Sequence, residues 1–472
     1  MTACTRAQDI LDWTNASWDR LPTSTALRSR AGELSAKLAG EVAAGRLPFL
    51  ATPFMPALEQ ELASLETDYL NHFDHMLLLG IGGSALGARA LQKAFAPGQD
   101  LPGHTGKSLW ILDNVDPKLL AAHLSRLPAA TTLVYVVSKS GDTIETIGQY
   151  FLVKQWLQKA LPERWKDHLL LNTDENKGYL REEATTFGIR TLPVPDNLGG
   201  RISAISAEGL VRDGVVGMDV RALTDGFCSV ARPLAHPVLD AQKLAAHPSF
   251  ELAVWAKALM DAGYSELITF FYIPQWACFA DWFAQLWAES LGKDGQGSQP
   301  IPAVGVTDQH SVNQMFLDGP RNKACLFVER APSAQGPEGP AFPADMPAIF
   351  DYLQGKRFGE LLPAEALGTR MALCQNAVPL VALRLGCDDA HAAGKMMALL
   401  GAATLLTGWL MGINPVDQPA VELGKRLAKA RLGAAGLNEE KAALAAFTGE
   451  SGGETSGQAK GQPGAGRDER GF

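Results

Sequence analysis

From His75 onward the chain alternates short apolar runs with glycine- or serine-containing turns and then stretches whose apolar residues recur every three or four positions. HMLLL runs into GIGGSALGARALQKAF, SLWILDN follows, TLVYVV runs into SKSGDTIETIGQYFLVKQWL, and HLLLNTDE and GIRTLPVPDNLGGR close the series. Strands with no polar alternation are buried on both faces, and their alternation with helices predicts a doubly wound parallel sheet. A second set predicts another α/β unit: SELITFFYI, the helix QWACFADWFAQLWAESLG, PIPAVGVT, KACLFVER, AVPLVALRLG and a helix from Ala392 to Met411. Ahead of both, LDWTNASWDRL, ALRSRAGELSAKLAGEVAAG and LEQELASLETDYLNHF space apolar residues as helices do, which predicts a helical layer over residues 1–70. The Pro-, Gly- and Ser-dense stretch from Ala331 to Pro347 reads as a surface loop, and Gly449 to Phe472, without apolar periodicity, as disordered. The two α/β halves share a pattern but no repeat of fixed period.

Composition narrows the classes. The 472 residues are enough for two or three domains, and 46% hydrophobic with 20% charged residues is an ordinary globular balance that excludes collagen-like or wholly disordered chains. A net charge of −9 supplies no basic excess for a nucleic-acid backbone, so no nucleic-acid partner is expected, and an anionic ligand would need local help. The six cysteines, Cys4, Cys228, Cys278, Cys325, Cys374 and Cys387, contain no CxxC pair, and a chain of this size needs no disulfide framework; a reducing cytoplasm fits best. Asp9, Asp12 and Asp19 interrupt the stretch a signal peptide would need, so no export is expected. Met396 to Ile413 is uncharged and reaches the lower length of a membrane span. Its Gly401, Gly408 and Gly412 and its neighbours Lys395 and Asn414-Pro415 fit a buried helix leading into a loop, and no membrane association is expected.

Candidate chemistry lies at the turns. Gly80-Ile81-Gly82-Gly83-Ser84 joins the MLLL strand to a helix, where glycines let the backbone turn sharply and a helix N-terminus with the Ser84 hydroxyl can face an anion. Gly80, Gly82 and Ala85 also satisfy a loose dinucleotide fingerprint, but the first acid after a strand, Asp113, lies later than that motif requires; alone, the loop is equally a plain strand–helix turn. Ser138-Lys139-Ser140-Gly141-Asp142-Thr143 follows the TLVYVV strand and opens a helix, placing three hydroxyls and an amine where a phosphate monoester binds. Ser140 or Thr143 taken singly is better read as a helix cap. The two loops together, both at the carboxyl edge of one sheet, favour a sugar-phosphate site over a nicotinamide-dependent dehydrogenase, which would leave the second loop without a purpose.

Gly199-Gly200 lets Arg201 approach an oxyanion closely, although on these residues alone a surface arginine in a salt bridge is the preferred reading. Glu289 continues the apolar stripe of Trp276, Phe279, Phe283 and Leu286 into the last turn of its helix, where the dipole disfavours negative charge and a general base is conceivable; an i,i+4 pair with Lys293 is the bland alternative. His310 follows a strand with no metal-ligating neighbours. Gln418 and Lys425 are spaced for one helical face, and a charged amphipathic helix explains Lys425 equally well.

In this order GIGGSALG, SKSGDTIET, GGRISAIS, TDQHSVNQ and NPVDQPAVELGK resemble the glucose-6-phosphate isomerase family, over about residues 50–430. The resemblance implies two doubly wound parallel-sheet sugar-isomerase domains with helical N-terminal and C-terminal segments. They would fall as a helical segment at 1–70, a first domain at 71–230, a second with C-terminal helices at 231–448, and a tail at 449–472. It implies reversible isomerisation of glucose 6-phosphate to fructose 6-phosphate, no metal or organic cofactor, and a homodimer with a shared active site. By its motifs Gly83, Ser84, Ser138, Lys139, Ser140 and Thr143 would hold phosphate, and Gln418 the substrate. Arg201 would stabilise the enediolate-like intermediate, Glu289 would move the proton, and His310, from the partner subunit, and Lys425 would assist ring opening. The longer branch of the family carries its glutamate at the position of Ala303, so Glu289 rests on the ES-x-GK pattern of the shorter bacterial branch. A non-catalytic sugar-phosphate-binding protein is the alternative, and the joint presence of Glu289, Arg201, His310 and Lys425 argues against it.

Overall fold

A computed structural model describes residues 8–51, 64–65, 69–194, 198–206, 209–210, 217–331 and 339–449. The chain divides into two compact units, residues 1–416 and 417–472.

The strands are β1 (Ile10–Asp12), β2 (His75–Leu79), β3 (Ser108–Leu112), β4 (Thr132–Val137), β5 (Leu169–Thr173), β6 (Arg190–Pro193), β7 (Glu266–Phe271), β8 (Gln299–Val304), β9 (Lys323–Arg330) and β10 (Leu380–Leu385). They form two five-stranded sheets, one in the order β3-β2-β4-β5-β6 and one in the order β1-β10-β9-β7-β8. All pairs are parallel except β1 with β10. Nine strands fall on the apolar runs, because runs such as LVYVV are buried on both faces. Alternate residues of β2 and β4 part accordingly: Met76, Leu78 and Tyr135 enter one core, Leu77, Leu79, Val134 and Val136 the other.

The tenth strand corrects the helical expectation for LDWTNASWDRL. Ile10–Asp12 is extended and Trp18–Arg20 is a single 3-10 turn. The edge of β10 offers backbone partners to β1, and the Asp12 carboxylate receives Arg384 at 2.6 Å; long-range pairing overrides local spacing. Helices do form at Ser24–Arg28 and Ala31–Ala43, whereas most of LEQELASLETDYLNHF and the tail lie outside the described residues. Of the Ala331–Pro347 loop, Ala331 and residues 339–347 are described and carry no helix or named strand.

The long apolar helix, Ala390–Met411, is 94% buried over its most hydrophobic stretch and is a core helix. It packs against Val220–Ala235 and Pro248–Asp261, and a Cβ on Gly394 would fall 2.0 Å from the Leu223 carbonyl oxygen, so only glycine permits that crossing. Cys228, Cys278, Cys325 and Cys374 form no disulfide, while Cys387, against the expectation of a chain without disulfides, is disulfide-bonded.

In each sheet the chain adds a neighbour on one side of the first parallel strand, β2 or β7, and then crosses to the other. The winding therefore reverses between β2 and β4, and again between β7 and β9. Loops diverge at such points and leave a crevice at the carboxyl edge.

Candidate active site

Leu79 lies opposite Val136 in register, so the Gly80–Ser84 and Ser138–Thr143 loops leave neighbouring strands, about 5 Å apart, at the first of these reversals. Gly82 turns the first loop with φ 57°, and the helix Gly83–Phe95 begins at once, its dipole and the Ser84 hydroxyl in its first turn placed at the crevice. In the second loop Gly141 has φ 70°, and Ser138 Oγ donates to Thr143 Oγ1 at 3.0 Å. Ser140 Oγ lies 3.5 Å from Thr143 Oγ1 and accepts from the Asp142 amide at 3.2 Å. Thr143 stands ahead of the helix Ile144–Ala160, yet its side chain makes no capping bond, so capping is not what this hydroxyl is for. The Lys139 carbonyl accepts from the Asp174 amide at 3.1 Å, and a Cβ on Gly178 would sit 2.2 Å from the Ser140 carbonyl oxygen; the turn after β5 buttresses the loop from behind.

Arg201 is delivered to this crevice by backbone contact. A Cβ on Gly83 would fall 2.2 Å from the Gly200 carbonyl carbon, so the first loop and the Gly200–Ile205 turn lie backbone against backbone. The Arg201 side chain is 3% exposed and held on three sides: Nε donates to Ser290 Oγ at 2.9 Å, one terminal nitrogen to the Pro415 carbonyl at 2.8 Å, the other to Glu289 Oε2 at 3.3 Å. Glu289 therefore does not stand as the solvated helix-end residue of the bland reading. Its second oxygen, Oε1, accepts from Gln285 Nε2 at 2.8 Å, and the Lys293 amine donates to the Asn414 carbonyl. With 27% of its side chain exposed, Glu289 keeps an open side.

Gln285 is a residue the sequence reading passed over. It sits one turn before Glu289, and its Nε2 is 3.0 Å from where a Cβ on Gly82 would be, so it touches the first loop as well as the carboxylate. Its Oε1 is buried without a hydrogen-bond partner. The i,i+4 spacing of Gln285 and Glu289 on one stripe was the available signal. Asp113, the acid weighed against the dinucleotide fingerprint, is paired with Arg89 at 2.8 Å.

Other expected residues lie elsewhere. His310 is exposed on a short turn after the carboxyl end of β8. The helix Ala277–Leu291 starts beyond the carboxyl end of β7 and runs back, placing Glu289 about 18 Å along its axis from Ala277, near the opposite edge of the sheet. Ala303 is a core residue of β8, 2% exposed, and offers no chemistry. In the second unit, Gln418 precedes the helix Glu422–Arg431 and so does not share a continuous helical face with Lys425. The Lys425 amine donates to Glu422 Oε1 at 2.7 Å, both side chains exposed.

Paired parallel sheets of like winding, with hydroxyl-lined turns at the first reversal and a buried arginine against a carboxylate, make up an α/β protein with a candidate anion-binding crevice. The profile of phosphoglucose isomerase matches residues 63–337. Glucose-6-phosphate isomerase of Rubrobacter xylanophilus is 38% identical over 394 residues, covering 81% of this chain and 89% of that protein. The corresponding protein of Carboxydothermus hydrogenoformans is 32% identical over 416 residues, 84% of this chain and 87% of its own. Among solved structures, a hypothetical protein from Thermus thermophilus superposes with a TM-score of 0.77 at 30% identity, covering 90% of this chain and all of that one. A glucose-6-phosphate isomerase from Chlamydia trachomatis, at 22% identity and a TM-score of 0.67 over 83% of this chain and 76% of its own, shares the fold. The chain belongs to the phosphoglucose isomerase family.

Proposed function

We propose that this protein works as a glucose-6-phosphate isomerase, with Glu289 as the base, Arg201 as the fixed cation, and the Ser84 and Ser138–Thr143 turns as the phosphate anchor. Aldose–ketose isomerisation needs an immobilised phosphate, one base that reaches both C1 and C2, and a cation beside the oxygen on which charge develops. Gly83, Ser84, Ser138, Lys139, Ser140 and Thr143 hold the phosphate. Once the ring is open, Glu289 takes the C2 proton as the C1 carbonyl becomes an enediolate. Arg201 spreads its negative charge, the 2-hydroxyl proton passes to the O1 oxyanion, and Glu289 returns its proton to C1 as a ketone forms at C2. The observation that carries this reading is the 3.3 Å contact between Arg201 and Glu289 beside the phosphate turns. It also disfavours a purely sugar-phosphate-binding role, which has no use for a base on that cation.

Ring opening is assigned to His310 and Lys425, with Gln418 binding substrate. His310 belongs at the opposite edge of its sheet from Glu289 in the same chain, which supports a homodimer whose partner subunit supplies the histidine, working in the cytoplasm. Complementation is the experiment. Glu289→Gln and His310→Ala, each inactive alone, are denatured and refolded together and assayed for fructose 6-phosphate conversion. Shared sites restore activity, because one site of each mixed dimer then holds both native groups; sites complete within one subunit restore none.

A further inference from the structure

The second reversal of winding, between β7 and β9, also opens on a cavity, of about 610 Å³, within the roughly 300–1,000 Å³ of small-molecule sites. Its chemistry is the opposite of the first. Where the first reversal presents serines, a threonine and a lysine, the loops here present Ile273, Pro274 and Val306, and Phe358 and Leu362 complete an apolar wall. Among the described residues a phosphate finds no hydroxyl cluster there.

The charges facing the cavity can be paired off until one remains. Glu329 is answered by Arg384 at 3.1 Å and Arg370 at 3.5 Å, cations it shares with Asp12, and Asp388 is answered by Arg330 at 3.7 Å. Glu365 makes no ion pair among the described residues. Its Oε2 accepts from Gln309 Nε2 at 2.7 Å, and Gln309 is itself gripped by Tyr272 and Thr369, each 2.8 Å from its Oε1. A carboxylate that makes no ion pair among the described residues is thus held in position at a cavity with an apolar wall, an arrangement that binds a positive charge on a hydrophobic body.

We propose that this cavity is a second ligand site, distinct from the crevice between β2 and β4 of the same chain, for a compact aromatic ammonium compound whose amine meets Glu365 and whose ring lies against Phe358 and Leu362. Isothermal titration of the full chain with tryptamine tests it, with indole-3-acetate and inorganic phosphate as controls. Tryptamine is expected to bind saturably and undisplaced by phosphate. Glu365→Gln, which still accepts from Gln309, is expected to weaken binding by about tenfold or more, the loss when a charge-assisted hydrogen bond becomes neutral. Phe358→Ala, at a side chain 61% exposed, is expected to weaken it without harming the fold, with retained isomerase turnover as the control for folding. Absence of saturable tryptamine binding, equal binding of indole-3-acetate, or an unchanged affinity in Glu365→Gln would each overturn the proposal.

Discussion

The guanidinium of Arg201 and the carboxylate of Glu289 meet at 3.3 Å although 88 residues separate them, one arriving on the turn that follows the first sheet and the other on the first crossover helix of the second. Neither sheet unit holds both groups. The pair exists because the helices Gly83–Phe95 and Ala277–Leu291 pack together. Removing Arg201 would strand a carboxylate, a serine hydroxyl and a carbonyl at once, so its loss is expected to affect folding as well as turnover.

Glu289→Gln preserves shape and can still accept from Gln285. Its kcat is expected to fall by about 10²–10⁴-fold, the usual worth of a positioned base, while KM for fructose 6-phosphate stays within a few-fold. A coupled assay measures both, and an unchanged kcat would move the proton transfer to another group.

Gln285→Leu removes the amide that aims Glu289 and also the buried Oε1 that has no partner. Turnover is expected to drop by about tenfold or more through misplacement of the base. The thermal midpoint should hold or rise, since an unsatisfied buried acceptor costs about 1–3 kcal/mol. A lost midpoint with unaltered turnover would make Gln285 merely structural.

Gly83→Ala drives a methyl to 2.2 Å from the Gly200 carbonyl carbon, between two backbones that cannot yield as a side chain could. A lower melting temperature and a raised KM for fructose 6-phosphate are expected together. Gly148→Ala is the control: nothing lies within 4 Å of the new methyl in the helix Ile144–Ala160, and stability should rise by up to about 1 kcal/mol.

His247 caps the helix Pro248–Asp261, accepting from the Ser249 amide at 3.2 Å through Nδ1 while Nε2 donates to the Val230 carbonyl at 3.1 Å. Burial pushes its pKa below the ordinary histidine value, and the bond to Val230 offsets only part of that. Between the lowered native value and about 6.5 the unfolded chain binds the extra proton, so stability is expected to decline as pH falls below about 6.5, by at most about 1.4 kcal/mol per pH unit for one such group. Denaturant midpoints at pH 7.5 and 5.5 check it. His247→Asn, still a capping residue, should lose less on acidification than the native chain, and an equal loss would assign the effect elsewhere.

Period and turn chemistry are local, and what depends on them could be read from the chain alone. Strands β2 to β10 follow from uninterrupted apolar runs, and the hydroxyl-rich turns at Ser84 and Ser138–Thr143 follow from glycines and helix starts a few residues away. What depends on distant segments could not. Ile10–Asp12 looked helical and became a strand because the edge of β10 and Arg384 lay ready for it. The partners of Glu289, its alignment by Gln285 and the burial of Arg201 were set by how two similarly wound sheets pack, since a contact between residues far apart in the chain is specified by the fit of many side chains rather than by any spacing along it.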